Sequence, residues 1–174
     1  SRLPFVSVTR HSNLEFNYFD GREAPDRGVL EVEFETAGVR WRLFNLHLKS
    51  KWTERKDDPE GTLRREKEAR TIRDYIRKTY VPESKPNHLV VGDFNDHQST
   101  PAVRRFLTVN KTQLTTAMPC ADSRGHRWTH HYARQDSIPE SILFWRRPRC
   151  PGVSYQIQES CRMAHMLPSP PIIA

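Results

Sequence analysis

From Leu30 to Glu35 apolar and acidic side chains alternate one for one, as Leu30-Glu31-Val32-Glu33-Phe34-Glu35. Successive strand residues face opposite sides of a sheet, so the run predicts a half-buried strand. Ala37-Gly38 reads as a turn, and Val39 to Leu43 alternate again before Phe44 to Leu48. Together the two runs predict an antiparallel hairpin. An earlier strand is expected over Phe5 to Thr9. Over about residues 60–80 the period changes. Leu63, Ala69, Ile72, Ile76 and Tyr80 recur near helical spacing with Arg and Glu between them, which predicts one amphipathic helix. Asp58 can cap it, Pro59 fits a first turn, and Glu60 suits the positive end of the dipole. Pro82 and Pro86 stop it. His88 to Val91 is a short apolar run ending at Gly92, consistent with a buried strand, and Ser99-Thr100-Pro101 starts a shorter helix through Leu107.

Strand, helix, strand is a crossover unit, so the class is α/β. If strands 40–48 and 88–92 are parallel neighbours, their C-terminal ends share the sheet edge where such folds hold ligands. That places His47 near Asp93. The chain has 174 residues, enough for one core. Its 28 Lys and Arg against 21 Asp and Glu give a net charge of +7, which favours anionic partners such as phosphate esters, nucleic acid or anionic lipid. No apolar run approaches the length of a membrane span. Cys120, Cys150 and Cys161 are too few and scattered for a disulfide scaffold, and Cys150, Cys161 and His165 lack the spacing of a zinc site. His130 and His131 are adjacent, face opposite sides of any strand, and read as surface residues. Arg64, Arg65, Lys67, Arg70, Arg73, Arg77 and Lys78 are interleaved with Glu66, Glu68 and Asp74, and read as a solvated helix face with intrahelical pairs. There is no Gly-x-Ser-x-Gly and no phosphate-binding glycine loop with a lysine, so those hydrolase classes have no support.

The candidate chemistry lies in two segments, each at a strand end: Asn45-Leu46-His47-Leu48-Lys49-Ser50 and Val90-Val91-Gly92-Asp93-Phe94-Asn95-Asp96. Asp93 and Asn95, two apart, are expected to point the same way from extended backbone, a turn with a local side-chain cap being the alternative. The carboxylate can take a proton from water, the amide can hold a charged oxygen, and the His47 imidazole can donate to developing negative charge. Asp96 reads as a turn residue. Apart from a metal, these are the parts that phosphate-ester hydrolysis needs.

The two segments resemble the endonuclease/exonuclease/phosphatase superfamily, the DNase I-like fold, whose hallmarks include a His-Leu-Lys-Ser-like strand end and a Gly-Asp-Phe-Asn motif. Arg27-Gly28-Val29-Leu30-Glu31-Val32 resembles the strand that precedes the His motif. Ser1-Arg2-Leu3-Pro4 and Trp128-Thr129 also have counterparts there. The resemblance covers roughly residues 1–135. It implies part of a four-layer, two-sheet α/β sandwich with helices on its outer faces. It implies a metal-dependent phosphoesterase, nuclease or phosphatase, in which Asp93 is the general base or water-orienting carboxylate, Asn95 binds phosphate oxygens and His47 donates to the phosphate. It also implies Mg²⁺ or Mn²⁺ as Lewis acid, and a phosphate ester, nucleic acid included, as substrate.

The sequence departs from the family pattern at both ends. The family opens with a strand carrying an Asn and then a metal-binding Glu, whereas Asn13 and Glu15 stand in a polar segment. The expectation is a single partial domain that lacks its main metal ligand and exposes sheet surface normally covered. Toward the C-terminus a Tyr-Ser-Arg-Ile-Asp strand and a Ser-Asp-His ending are expected, where this chain has Ser137-Ile138-Pro139-Glu140-Ser141-Ile142-Leu143 and Leu167-Pro168-Ser169. Codons for Ser137 to Arg149, read from the third base of the Ser137 codon, can spell that family strand, so residues 137–169 are read as an out-of-frame segment. Divergence in place is the alternative. On this reading Arg146, Arg147, Arg149, Cys150 and Cys161 have no functional meaning, and the chain by itself is inactive or nearly so. The second functional reading is a non-catalytic phosphate- or nucleic-acid-binding remnant that uses the basic surface.

Overall fold

A computed structural model describes residues 1–80, 87–109, 112–113, 116–117, 130–132, 135–137 and 144–145. Strand β1 (Phe5–His11) is followed by β2 (Phe16–Tyr18), β3 (Gly21–Glu23), β4 (Val29–Thr36), β5 (Val39–His47), helix α1 (Thr62–Tyr80) and β6 (His88–Asp93). Helix α2 (Pro101–Leu107) comes next, then β7 (Thr108–Val109), β8 (Thr112–Gln113), β9 (Thr116–Ala117), β10 (His130–Tyr132), β11 (Gln135–Ser137) and β12 (Phe144–Trp145). The main sheet is mixed, in the order β1-β4-β5-β6-β12-β9. The pairs β2-β3, β7-β8 and β10-β11 form separate two-stranded ribbons.

The predicted hairpin is β4-β5, antiparallel from Val29↔Leu46 to Thr36↔Val39. Its turn holds Ala37 and Gly38 at φ 50° and 74°, the left-handed pair that suits a tight hairpin. After the α1 crossover, β6 pairs parallel with β5 and His47 lies opposite Asp93. The α/β class and the placing of both motifs at one sheet edge follow from this connection.

One face of the sheet carries the core. Val29, Phe44, Leu46, Leu48 and Val90 meet Ala69, Ile72, Ile76 and Tyr80 of α1, together with Ala102, Val103 and Phe106 of α2. The described residues therefore form two of the four layers implied by the resemblance. On the other face, register places Val8, Leu30, Val32, Leu43, Asn45, His47, Val91 and Asp93. Phe5, Val8 and Leu30 are exposed there.

Three expectations are corrected. Of the three acids in the Leu30–Glu35 strand, only Glu35 is turned to water. Glu31 and Glu33 are buried on the helix side, while Leu30 is exposed. Glu31 accepts from the Tyr80 hydroxyl at 2.6 Å and lies 2.8 Å from His11 Nε2 and 3.3 Å from Arg42 Nε. Burial, reinforced by the bond to Glu31, pushes the Tyr80 hydroxyl above its ordinary range. The helix starts at Thr62, so Pro59 and Glu60 precede it and Leu63 is exposed. Asp58 still caps from outside, accepting the Leu63 and Arg64 amides at 3.1 and 3.0 Å and the Tyr18 hydroxyl at 2.9 Å. Burial works against the Asp58 carboxylate, but these donors hold it below its usual value, while burial and the Asp58 bond push Tyr18 up to about 12. Third, α1 is not a wholly solvated basic face, because Arg65, Glu68 and Arg73 are buried.

His130 and His131 fall in β10 as adjacent strand positions. Of the segment read as out of frame, Ser137 belongs to β11, and Phe144–Trp145 pair with β6 and β9. The rest of that segment, Trp128-Thr129, Cys120, Cys150, Cys161 and His165 lie outside the described residues, as do Pro82 and Pro86.

Candidate active site at the β5-β6 edge

His47 and Asp93 are register partners at the ends of parallel strands. His47 Nε2 lies 3.5 Å from Asp93 Oδ2, and the side chains are 38% and 29% exposed. Both are thus open to a ligand while still in reach of each other. They line a hollow of about 270 Å³ with Arg27, Gly28, Leu30, Asn45 and Leu46. Sequence reading gave no chemical role to Arg27 or Asn45. For Asn45 the signal was available, because Asn45 and His47 alternate onto one face of the same strand, whereas Arg27 precedes β4 and carried none.

Asn95 is not where extended backbone would put it. The strand ends at Asp93, and Asn95 turns back with φ 49°. Its backbone N–H donates to Asp93 Oδ1 at 2.8 Å, and its side-chain nitrogen donates to the Leu48 carbonyl at 2.9 Å. Asparagine tolerates this left-handed geometry because its short polar side chain bonds locally. Asn95 therefore ties the two strand ends together and leaves one amide N–H beyond that bond. It is not among the residues lining the hollow.

Behind the hollow lies a buried ionic layer that the sequence reading missed. Asp96, read as a turn residue, is buried and accepts from Arg65 Nε at 3.1 Å. The Arg65 side chain is 1% exposed. It also donates to the Glu60 carbonyl at 2.6 Å and the Lys49 carbonyl at 3.4 Å. Glu68 accepts the Lys49 backbone N–H at 2.8 Å and Arg64 Nε at 3.4 Å. One helical turn thus grips the segment after His47 and the segment after Asp93.

Burial pushes Glu68 from its ordinary 4.5 up to about 7, although the Lys49 amide and Arg64 favour its charged form. Between about pH 4.5 and about pH 7 the folded chain keeps the proton that the unfolded chain releases, so stability falls as pH rises through that window. The loss is on the order of 3 kcal/mol. Glu68→Gln, which cannot ionise, is expected to flatten this slope. Urea midpoints of both proteins across the window check it, and parallel slopes would refute it.

Among the described residues, Asp93 is the one carboxylate lining the hollow. Among the described residues no group of three His, Cys, Asp or Glu side chains converges as a metal site. A magnesium ion takes six oxygen ligands, carboxylates among them. The described residues do not complete such a site.

No protein-family model matches the sequence. No curated protein matches it. Solved structures do resemble the fold. The human Nocturnin catalytic domain with bound sulfate anion matches at 11% identity and TM-score 0.52, over 82% of this chain and 48% of that one. A Staphylococcus aureus beta toxin variant with bound magnesium ions matches at 14% identity and TM-score 0.54, over 83% and 50%. Truncated Caenorhabditis elegans TDP2 matches at 12% identity and TM-score 0.52, over 84% and 54%. The chain spans about half the length of each. By its mixed sheet, its crossover and these neighbours, the chain has an α/β fold similar to part of the DNase I-like fold.

Proposed function

We propose that the β5-β6 edge is the phosphate-binding and water-activating part of a metal-dependent phosphoesterase site. The observation that carries this reading is the 3.5 Å approach of His47 to Asp93 at paired strand ends, inside a hollow that Arg27 also lines. A phosphate ester seated there places non-bridging oxygens on the Arg27 guanidinium and the His47 imidazole. Both donate to the negative charge that grows as the phosphorus is attacked. Asp93 accepts a proton from the incoming water while the water oxygen bonds to phosphorus and the ester oxygen leaves. Asn95, bonded to the Leu48 carbonyl and outside the hollow, holds the two strand ends in place and contacts the ester only if its second amide N–H is turned toward it. Magnesium or manganese would supply Lewis acidity, and the bound magnesium of the beta toxin neighbour supports that choice. With Asp93 the sole carboxylate among the described residues that line the hollow, we expect little or no turnover by this chain by itself. A magnesium-dependent rate on a phosphodiester that Asp93→Ala abolishes would overturn that expectation.

The binding half is tested without turnover. Titration with inorganic phosphate is expected to move the His47 ring resonances saturably. Arg27→Ala should weaken that response about tenfold, the worth of a charge-assisted hydrogen bond. Shifts confined to other histidines, or an Arg27→Ala protein that binds as well as the parent, would refute the reading.

A further inference from the structure

The segment that leaves β5 just past His47 carries Lys49, Lys51, Arg55 and Lys56 against Glu54, and in their midst Trp52. Trp52 is 72% exposed, the most exposed of the large hydrophobic side chains among the described residues. The loop that presents it is internally bonded. Lys49 Nζ donates to the Trp52 carbonyl at 2.6 Å, and the Arg55 amide donates to Thr53 Oγ1 at 3.1 Å. Arg55 lies over the Phe19 ring, 4.2 Å from its centroid, which pins the far end of the loop. The Lys49 ammonium lies 6.0 Å from the Trp52 ring centroid, so the indole stands open to water among cations.

We propose that this loop binds single-stranded nucleic acid, with Trp52 stacked on a base and Lys51 and Lys56 on neighbouring phosphates. The proposal rests on the phosphoesterase reading only in naming that site's substrate class. Charge selects a polyanion over a neutral ligand. An exposed indole stacks on any base, and a basic track beside it follows the backbone. A bilayer is the weaker fit, because Lys49 to Lys56 contains no aliphatic residue to insert beside the indole. Lys49 stands two residues after His47 and is bonded to the loop, so the strand end that carries the imidazole also carries the platform.

The test is binding of a labelled oligothymidylate to the full chain in EDTA, beside an abasic oligomer of equal length. The Trp52→Ala protein is expected to bind the oligothymidylate about tenfold more weakly and the abasic oligomer unchanged, with Trp52→Phe recovering most of the loss. Equal loss on both oligomers, or no loss on either, overturns stacking. So does a blue shift of Trp52 emission with phosphatidylserine vesicles and none with the oligomer, which assigns the loop to a membrane surface. Should phosphate leave His47 undisturbed while the Trp52-dependent difference stands, the phosphoesterase reading fails and the stacking platform does not. Circular dichroism spectra of both variants that match the parent's are expected at this exposed position, and they separate lost stacking from lost fold.

Discussion

Gly92→Ala is expected to remove about 4 kcal/mol or more of stability, a large share of what a domain of this size holds. Gly92 has φ 129°, where side chains are strained, and a Cβ built on it would stand 1.8 Å from the Leu46 carbonyl oxygen. Leu46 is its register partner across the parallel pair. The neighbour is strand backbone, so relief requires β5 and β6 to part at the point where His47 faces Asp93. Gly38→Ala is the control. Gly38 also has positive φ, at 74°, but a Cβ there meets nothing within 4 Å. That change should cost about 1 kcal/mol from conformation alone. Urea midpoints of the two variants separate the clash from the dihedral, and equal losses would show that the strand contact is softer than the distance implies.

Arg65→Ala is expected to cost about 3–5 kcal/mol, because it leaves the buried Asp96 carboxylate without its cation. The Glu60 and Lys49 carbonyls lose a donor as well. Arg65→Lys keeps the charge but not the fork, and should recover part of the loss. Amide spectra should show the damage at Lys49 and at Asp93 to Asp96 before α2 is affected. A loss under about 1 kcal/mol would mean that Asp96 is solvated in place, and would remove the ionic layer as a support for the site.

Much of this architecture is legible from periodicity. The hairpin, the crossover helix and the parallel return need only short-range pattern, and the parallel return carries His47 to Asp93. The errors arose where charge was taken as a sign of exposure. Arg65, Glu68, Ala69, Ile72, Ile76 and Tyr80 share one helical stripe. The stripe was visible in the spacing, but their partners (Asp96, the Lys49 amide and Glu31) come from elements that no local pattern links. Asn95 was misplaced because an Asp-x-Asn pair fits both an extended strand and a turn. Only the Leu48 carbonyl, remote in sequence, decides between them.

The parallel pairing of β5 with β6 also bears on the order in which the molecule assembles. Ala37 and Gly38 join β4 to β5 locally, whereas β6 reaches β5 only after the whole of α1 has been crossed. Closing that longer loop carries the greater entropic cost and comes later in folding. A partly folded population can therefore show full helix and hairpin signals and still have no hollow. Any ligand of the hollow binds the last-formed state alone, and by mass action it draws slow folders forward.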